Sequence, residues 1–141
     1  MKKQALTMLN VLLMLTALSI SVQSQQRVVI NIPFNFIVGQ KTLPAGEYGF
    51  KRIKIDSETV WLVQSRDRRA SILFMTIPVR AAAIQEETKL IFHRYGGQYF
   101  LSQIWTPGDN TGRELLKPRL ERELAKNPAE QRTIALIAHR P

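Results

Sequence analysis

His93 and His139 are the only two histidines, and cysteine is absent. Of these, His93 stands among residues that could do chemistry. In His93-Arg94-Tyr95-Gly96-Gly97 a base, a cation and a phenol precede a glycine pair. General acid–base work is the reaction class that such a group would serve. Nucleophilic catalysis would also need a base oriented by a third group, and the acids offer no clear partner. Asp56, Glu58, Asp67, Glu86 and Glu87 fall in expected turns, while Glu114, Glu121, Glu123 and Glu130 fall in or beside a helical tail. No two of them make the facing pair that glycoside hydrolysis requires. Two histidines without cysteine do not make a zinc site. Asp109 and Asn110 lack the spaced carboxylates and distal bidentate acid of a calcium loop. Neither a G-x-S-x-G elbow, a P-loop nor a dinucleotide fingerprint occurs. The expectation is a non-enzyme with no catalytic residue, metal or cofactor. His93 then reads as a sheet histidine packed against Phe100 and satisfied by a hydrogen bond.

Two other groups have a binding reading. Arg66-Asp67-Arg68-Arg69 could receive an anion, but charged runs between apolar strands are commonly solvated hairpin tips, and the tip is preferred. Trp61, Tyr95, Tyr99, Phe100 and Trp105, with His93, could line a ligand cavity or a carbohydrate platform. Aromatic residues of this kind more often belong to a core.

The element that would position His93 is a hairpin. Lys89 to Tyr95 and Gln98 to Trp105 are two apolar-rich runs joined by Gly96-Gly97. A two-residue connection matches strand twist only in turns with positive φ, which glycine adopts without strain. Pairing then sets Tyr95 opposite Gln98, Arg94 opposite Tyr99, His93 opposite Phe100 and Phe92 opposite Leu101. Opposed residues share a face. One face should carry Leu90, Phe92, Tyr99, Leu101 and Trp105, the other Ile91, His93, Tyr95, Phe100 and Ile104. Both are apolar, so the hairpin should be a central pair covered on both sides.

Around it, Val28–Val38 alternates with period two and reads as a strand at an edge or bent at Pro33. Gly39-Gln40 suits a II′ turn, with Lys41–Leu43 pairing back. Pro44-Ala45-Gly46 is a second turn before a strand from Glu47 to Ile55. Asp56-Ser57-Glu58 turns the chain into Thr59–Gln64, which is rich in β-formers. Ala70–Ile77 follows, interrupted by Pro78; Val79–Ile84 continues it as an extended segment, or as helix given the three alanines at 81–83. The run from Thr106 to Gly112 is dense in turn residues. Thr111-x-x-Glu114 resembles a capping box, but Pro118 would interrupt that helix. A helix of about residues 118–127, with Leu120 and Leu124 on one face, fits better. Thr133–Ala138 is a last strand.

Residues 1–24 read as a secretory signal peptide: Met1-Lys2-Lys3, an apolar stretch from Leu6 to Ile20, and Val22-Gln23-Ser24 before the cut. Residues 25–141 would form a single exported domain, periplasmic or extracellular, without disulfides or a lipid-anchored cysteine. No later run is long and apolar enough to span a membrane. The chain is +9; without Lys2 and Lys3, 18 basic residues face 11 acidic ones, a net +7. Such a balance admits anionic lipid or acidic glycan as partners, and export argues against nucleic acid; with the charges mostly scattered, a basic protein without a special partner is the preferred reading.

Ile32-Pro33-Phe34-Asn35-Phe36, Leu43-Pro44-Ala45-Gly46-Glu47-Tyr48, His93-Arg94-Tyr95-Gly96-Gly97-Gln98-Tyr99-Phe100-Leu101 and Gly112-Arg113-Glu114-Leu115 together resemble a group of small exported bacterial proteins of unknown function. The resemblance spans nearly all of residues 25–141. It implies export and a β fold, and it brings no catalytic residue.

The fold expected is mostly β: an antiparallel barrel-like or sandwich domain of about seven or eight strands, with one short helix before the last. The function expected is a non-catalytic role in envelope or extracellular interaction. The alternatives are a carrier of a small apolar or aromatic ligand, or a basic binder of acidic glycan or anionic lipid.

Overall fold

The computed structural model describes residues 28–53 and 60–138. The expected leader, the Asp56-Ser57-Glu58 turn and His139 lie outside them. Ten strands occur among the described residues: β1 (Val28–Ile32), β2 (Phe36–Val38), β3 (Lys41–Leu43), β4 (Gly46–Arg52), β5 (Val60–Ser65), β6 (Ser71–Arg80), β7 (Thr88–Tyr95), β8 (Gln98–Trp105), β9 (Thr111–Leu115) and β10 (Gln131–Ala138). One short helix, α1 (Arg119–Leu124), and a 3₁₀ turn (Pro128–Glu130) precede β10. The fold is mostly β, as the alternation predicts.

The sheet runs β1-β4-β5-β6-β9-β8, continues through β7 to β10, and carries the β2–β3 hairpin beside β8. Nearly all pairs are antiparallel; the exception is a single parallel bridge, Ile37 to Phe100, between β2 and β8. A strand has two edges. β7 takes one edge of β8 throughout, so β9 and β2 share the other. The sheet is open. Its two ends, β1 and β10, come close to one another without a ladder between them.

Inward side chains from this curled sheet make one core, with Ile32, Phe36, Tyr48, Phe50, Phe92 and Leu101 fully or almost fully buried. Phe36 stands at its centre. Its ring meets Tyr48 of β4 edge-on at 5.0 Å and Phe92 of β7 edge-on at 5.8 Å. The β2–β3 hairpin is thus held by its side chains more than by its backbone. Gly39 has φ +61 and Gln40 does not share the positive sign, the II′ pattern expected from glycine in first place.

Four expectations are corrected. Val28–Val38 is two strands: β1 stops at Ile32, and Pro33, which has no N–H for a ladder, redirects the chain. Pro78 does not interrupt its strand, which runs on to Arg80 without helix. Pro78 pairs with Arg113 of β9, while among the described residues the β5 ladder reaches no further than Met75, so no described neighbour asks Pro78 for an N–H on that edge. Thr111–Leu115, where no strand was expected, is one. Its alternation sends Arg113 and Leu115 inward and Gly112 and Glu114 outward. Gly112 is fixed by packing, because a Cβ there would lie 2.6 Å from the Trp105 ring. The Pro33 break and the added β9 bring the count to ten rather than seven or eight, and the helix is shorter than residues 118–127.

Candidate functional site

The central hairpin pairs as expected from Phe92↔Leu101 to Tyr95↔Gln98. Gly96 takes φ +60 at the first turn position. Beyond Phe92 the register shifts, so that Ile91 faces Gln103 and Leu90 faces Ile104. Ser102 is the extra residue of a β-bulge, and a bulge reverses the facing of everything after it. Ile104 therefore joins Leu90, Phe92 and Leu101 in the core, and Trp105 turns outward, contrary to the unbroken pairing. There its indole N–H donates to Gln103 Oε1 at 3.0 Å, and Gln103 donates to Glu114 Oε2 at 3.0 Å.

His93, Tyr95 and Phe100 share the outer face, and α1 lies over them. The helix does not bury Leu120, which is 49% exposed; it buries Glu121, which is 2% exposed. Glu121 Oε1 lies 2.8 Å from His93 Nδ1 and accepts a 3.2 Å hydrogen bond from the Tyr95 hydroxyl. Phe100 meets the Tyr95 ring edge-on at 5.7 Å. His93 is therefore the hydrogen-bonded sheet histidine expected, but with a carboxylate partner where none was foreseen. Two alternating outward residues with N–H and O–H groups required an acceptor above them. That was the available signal for Glu121.

This arrangement orients an imidazole. The Tyr95 hydroxyl beside it is committed to the same carboxylate oxygen. Burial, the Glu121 charge and the hydrogen bond to it, in that order, push the Tyr95 hydroxyl up to about 12 from 10.0. A raised folded-state value means that the stability it contributes is complete below pH 10 and is lost as pH rises through 12. Urea midpoints of the wild type should fall across that window more steeply than those of Tyr95→Phe. Equal alkaline declines in the two proteins would refute the assignment. Tyr48, also raised by burial, acts in the same direction in both.

The six aromatic and histidine positions expected to share a ligand site do not converge. Trp61 is in the core, with Arg52 5.5 Å above its ring and no hydrogen-bond partner for its N–H among the described residues. Tyr99 stacks on Phe34 at 3.9 Å near one end of the core, under the Arg94 guanidinium at 5.4 Å. His93, Tyr95 and Phe100 lie beneath α1, and Trp105 lies over Gly112. No group of three metal-ligating side chains occurs among the described residues.

The arginine-rich loop is organised from within. Asp67 accepts from the Ser65 hydroxyl at 2.6 Å and the Arg69 amide at 3.1 Å. These bonds hold its carboxyl below the usual range, the Ser65 bond most strongly. Arg66 pairs with Glu47 at 3.0 Å. Between this loop and the Pro44-Ala45-Gly46 turn lies an open depression of about 680 Å³. Tyr48 braces that turn by donating to the Pro44 carbonyl at 2.6 Å. A second depression, of about 440 Å³, separates β2–β3 from α1 and is lined by Ile37, Thr42, Pro118 and Leu120. None of the six expected ligand residues lines either. No family model matches the chain, and neither a curated protein nor a solved structure matches it.

Proposed function

We propose that this chain is an exported, non-catalytic β-domain that acts through its surface, in the envelope or outside the cell. The observation that supports this most directly is the closure of its His93–Glu121–Tyr95 cluster. The carboxylate is 2% exposed and the phenol 3%, which leaves only part of the His93 ring, 16% exposed, within reach of a substrate. What the domain does offer to a partner is apolar: Leu73, Met75 and Ile77 stand outward along β6. Export rests on the leader-like residues 1–24.

The reading is tested in two arms. Expression of the full chain in a bacterial host should yield a product outside the cytoplasm whose N-terminus follows Ser24. The purified product should leave ester, glycoside and peptide substrate panels unturned. Turnover that disappears in His93→Gln would overturn the non-catalytic reading, and retention of the whole chain in the cytoplasm would overturn export.

A further inference from the structure

The outer face of β5, β6 and β9 is apolar where a solvated sheet would be polar. Register places it in rows. Leu62 stands beside Leu73, and Val60 beside Met75; Ile77 stands one row further, beside Glu114. Leu73 is 58% exposed and Met75 62%, and the side chain of Leu116, just past β9, is also exposed. A contiguous exposed surface of this kind marks an interaction site.

Its charges say what fits. Glu47, at the far end of β4, is already paired with Arg66. The other charged side chains on the outward positions of β4, β5, β6 and β9 are Lys51 and Glu114. Lys51 flanks the patch on the β4 side, in the Leu62–Leu73 row. Glu114 flanks it on the β9 side, in the Ile77 row. Among the described residues the face is therefore neutral, in a chain that is +9 overall. An anionic membrane would meet Glu114 as a like charge beside its apolar contact.

We infer that this face binds a second copy of the same chain, in an isologous dimer whose two-fold axis passes over Val60 and Met75. The geometry is self-complementary. With about 4.8 Å between strands and about 3.4 Å per residue, the line from Lys51 to Glu114 runs at about 45° to the strands. A two-fold axis lying in the interface and perpendicular to that line exchanges the two positions. Lys51 of each copy then meets Glu114 of the other, while the aliphatic rows stack. Strands of the two copies cross at about 90°, one of the two preferred angles for packed sheets. The inference stands whether or not the domain is exported.

Sedimentation of the purified protein from about 1 to 300 μM should show a reversible monomer–dimer equilibrium. Met75→Lys should abolish it. Lys51→Glu and Glu114→Lys should each weaken the dimer about tenfold, because each places two like-charged pairs across the axis. The double variant Lys51→Glu/Glu114→Lys should recover wild-type affinity to within about threefold. Near-UV circular dichroism of each variant confirms that the fold is kept. A monomer at every concentration would overturn the inference. So would a dimer indifferent to Met75→Lys, or a charge swap that fails to recover. Binding of the monomeric protein to phosphatidylglycerol vesicles, lost in Met75→Lys, would assign the face to lipid instead.

Discussion

Phe36→Ala is expected to lower the folding free energy by about 3–5 kcal/mol, as large-to-small changes at fully buried aromatic positions do. The residue has no exposed surface and joins β4 to β7 through Tyr48 and Phe92. Its own strand is only three residues long and meets β8 through one bridge. Backbone pairing therefore offers little to retain β2–β3 once the ring is gone. Truncation should leave a void and also loosen the hairpin. Urea unfolding followed by tyrosine and tryptophan signals would report the loss. Amide exchange in Phe36–Leu43 should accelerate more than elsewhere. Phe36→Leu, which keeps most of the volume, should retain more than half of the lost stability. A cost under about 1 kcal/mol for Phe36→Ala would mean that the cavity collapses freely and that the hairpin is held by something else.

The second large effect belongs to Glu121. Alanine there removes one acceptor and strands two donors. The Tyr95 hydroxyl is almost wholly buried and has no route to water; the His93 ring, 16% exposed, retains a partial one. A buried donor left unpaired costs about 1–3 kcal/mol, and the unequal exposure places the expected total at about 2–4 kcal/mol. Glu121→Gln keeps one carbonyl oxygen in place and should cost about half as much. Glu121→Leu fills the space without an acceptor and should resemble alanine. This ordering separates a hydrogen-bonding role from a packing role, which would rank leucine best. A cycle with Tyr95→Phe isolates the Tyr95 share, since the two changes together should cost less than their sum. These figures concern removal of one partner; they do not measure the worth of the cluster against an apolar replacement of all three groups. An alanine cost below about 0.5 kcal/mol would show that α1 is not anchored through its carboxylate.

How much of this was legible depends on which forces act locally. The β7–β8 hairpin was readable from Gly96-Gly97 outward, because a two-residue turn leaves only one register for its flanking strands. The reading failed at Ser102. A bulge is a one-residue difference between two strands, and nothing in Leu101-Ser102-Gln103 announces it. The fate of Ile104 and Trp105 was settled by their neighbours. Ile104 is drawn to Leu90 and Phe92, and the flat face of Trp105 fits over Gly112 in a strand the sequence disguises as a loop. Pro33 and Pro78 show the same limit from another side. Each lacks an N–H, but the consequence depends on whether a neighbouring strand asks for one, and that is a property of the sheet. The helix was placed nearly correctly but its inward residue was not. Leu120 and Leu124 make the apolar stripe that periodicity rewards. In a six-residue helix, two hydrogen bonds to one carboxylate outweigh that stripe.

The seam between β1 and β10 bears on the order in which the molecule assembles. β4, β5 and β6 are successive neighbours, each joined to the one before, and β1 closes onto β4 over the β2–β3 excursion. A chain emerging N-terminus first can therefore lay down half of the sheet from contacts close in sequence, which form fastest. β7 and β8 follow as a hairpin, and β9 returns to β6 to join the two halves. β10 comes last, reaching back over the helix to β7, and it arrives beside β1, the strand that was made first. Until it does, one flank of β7 stands open; once it has, β1 and β10 remain as the two free ends of the sheet, side by side.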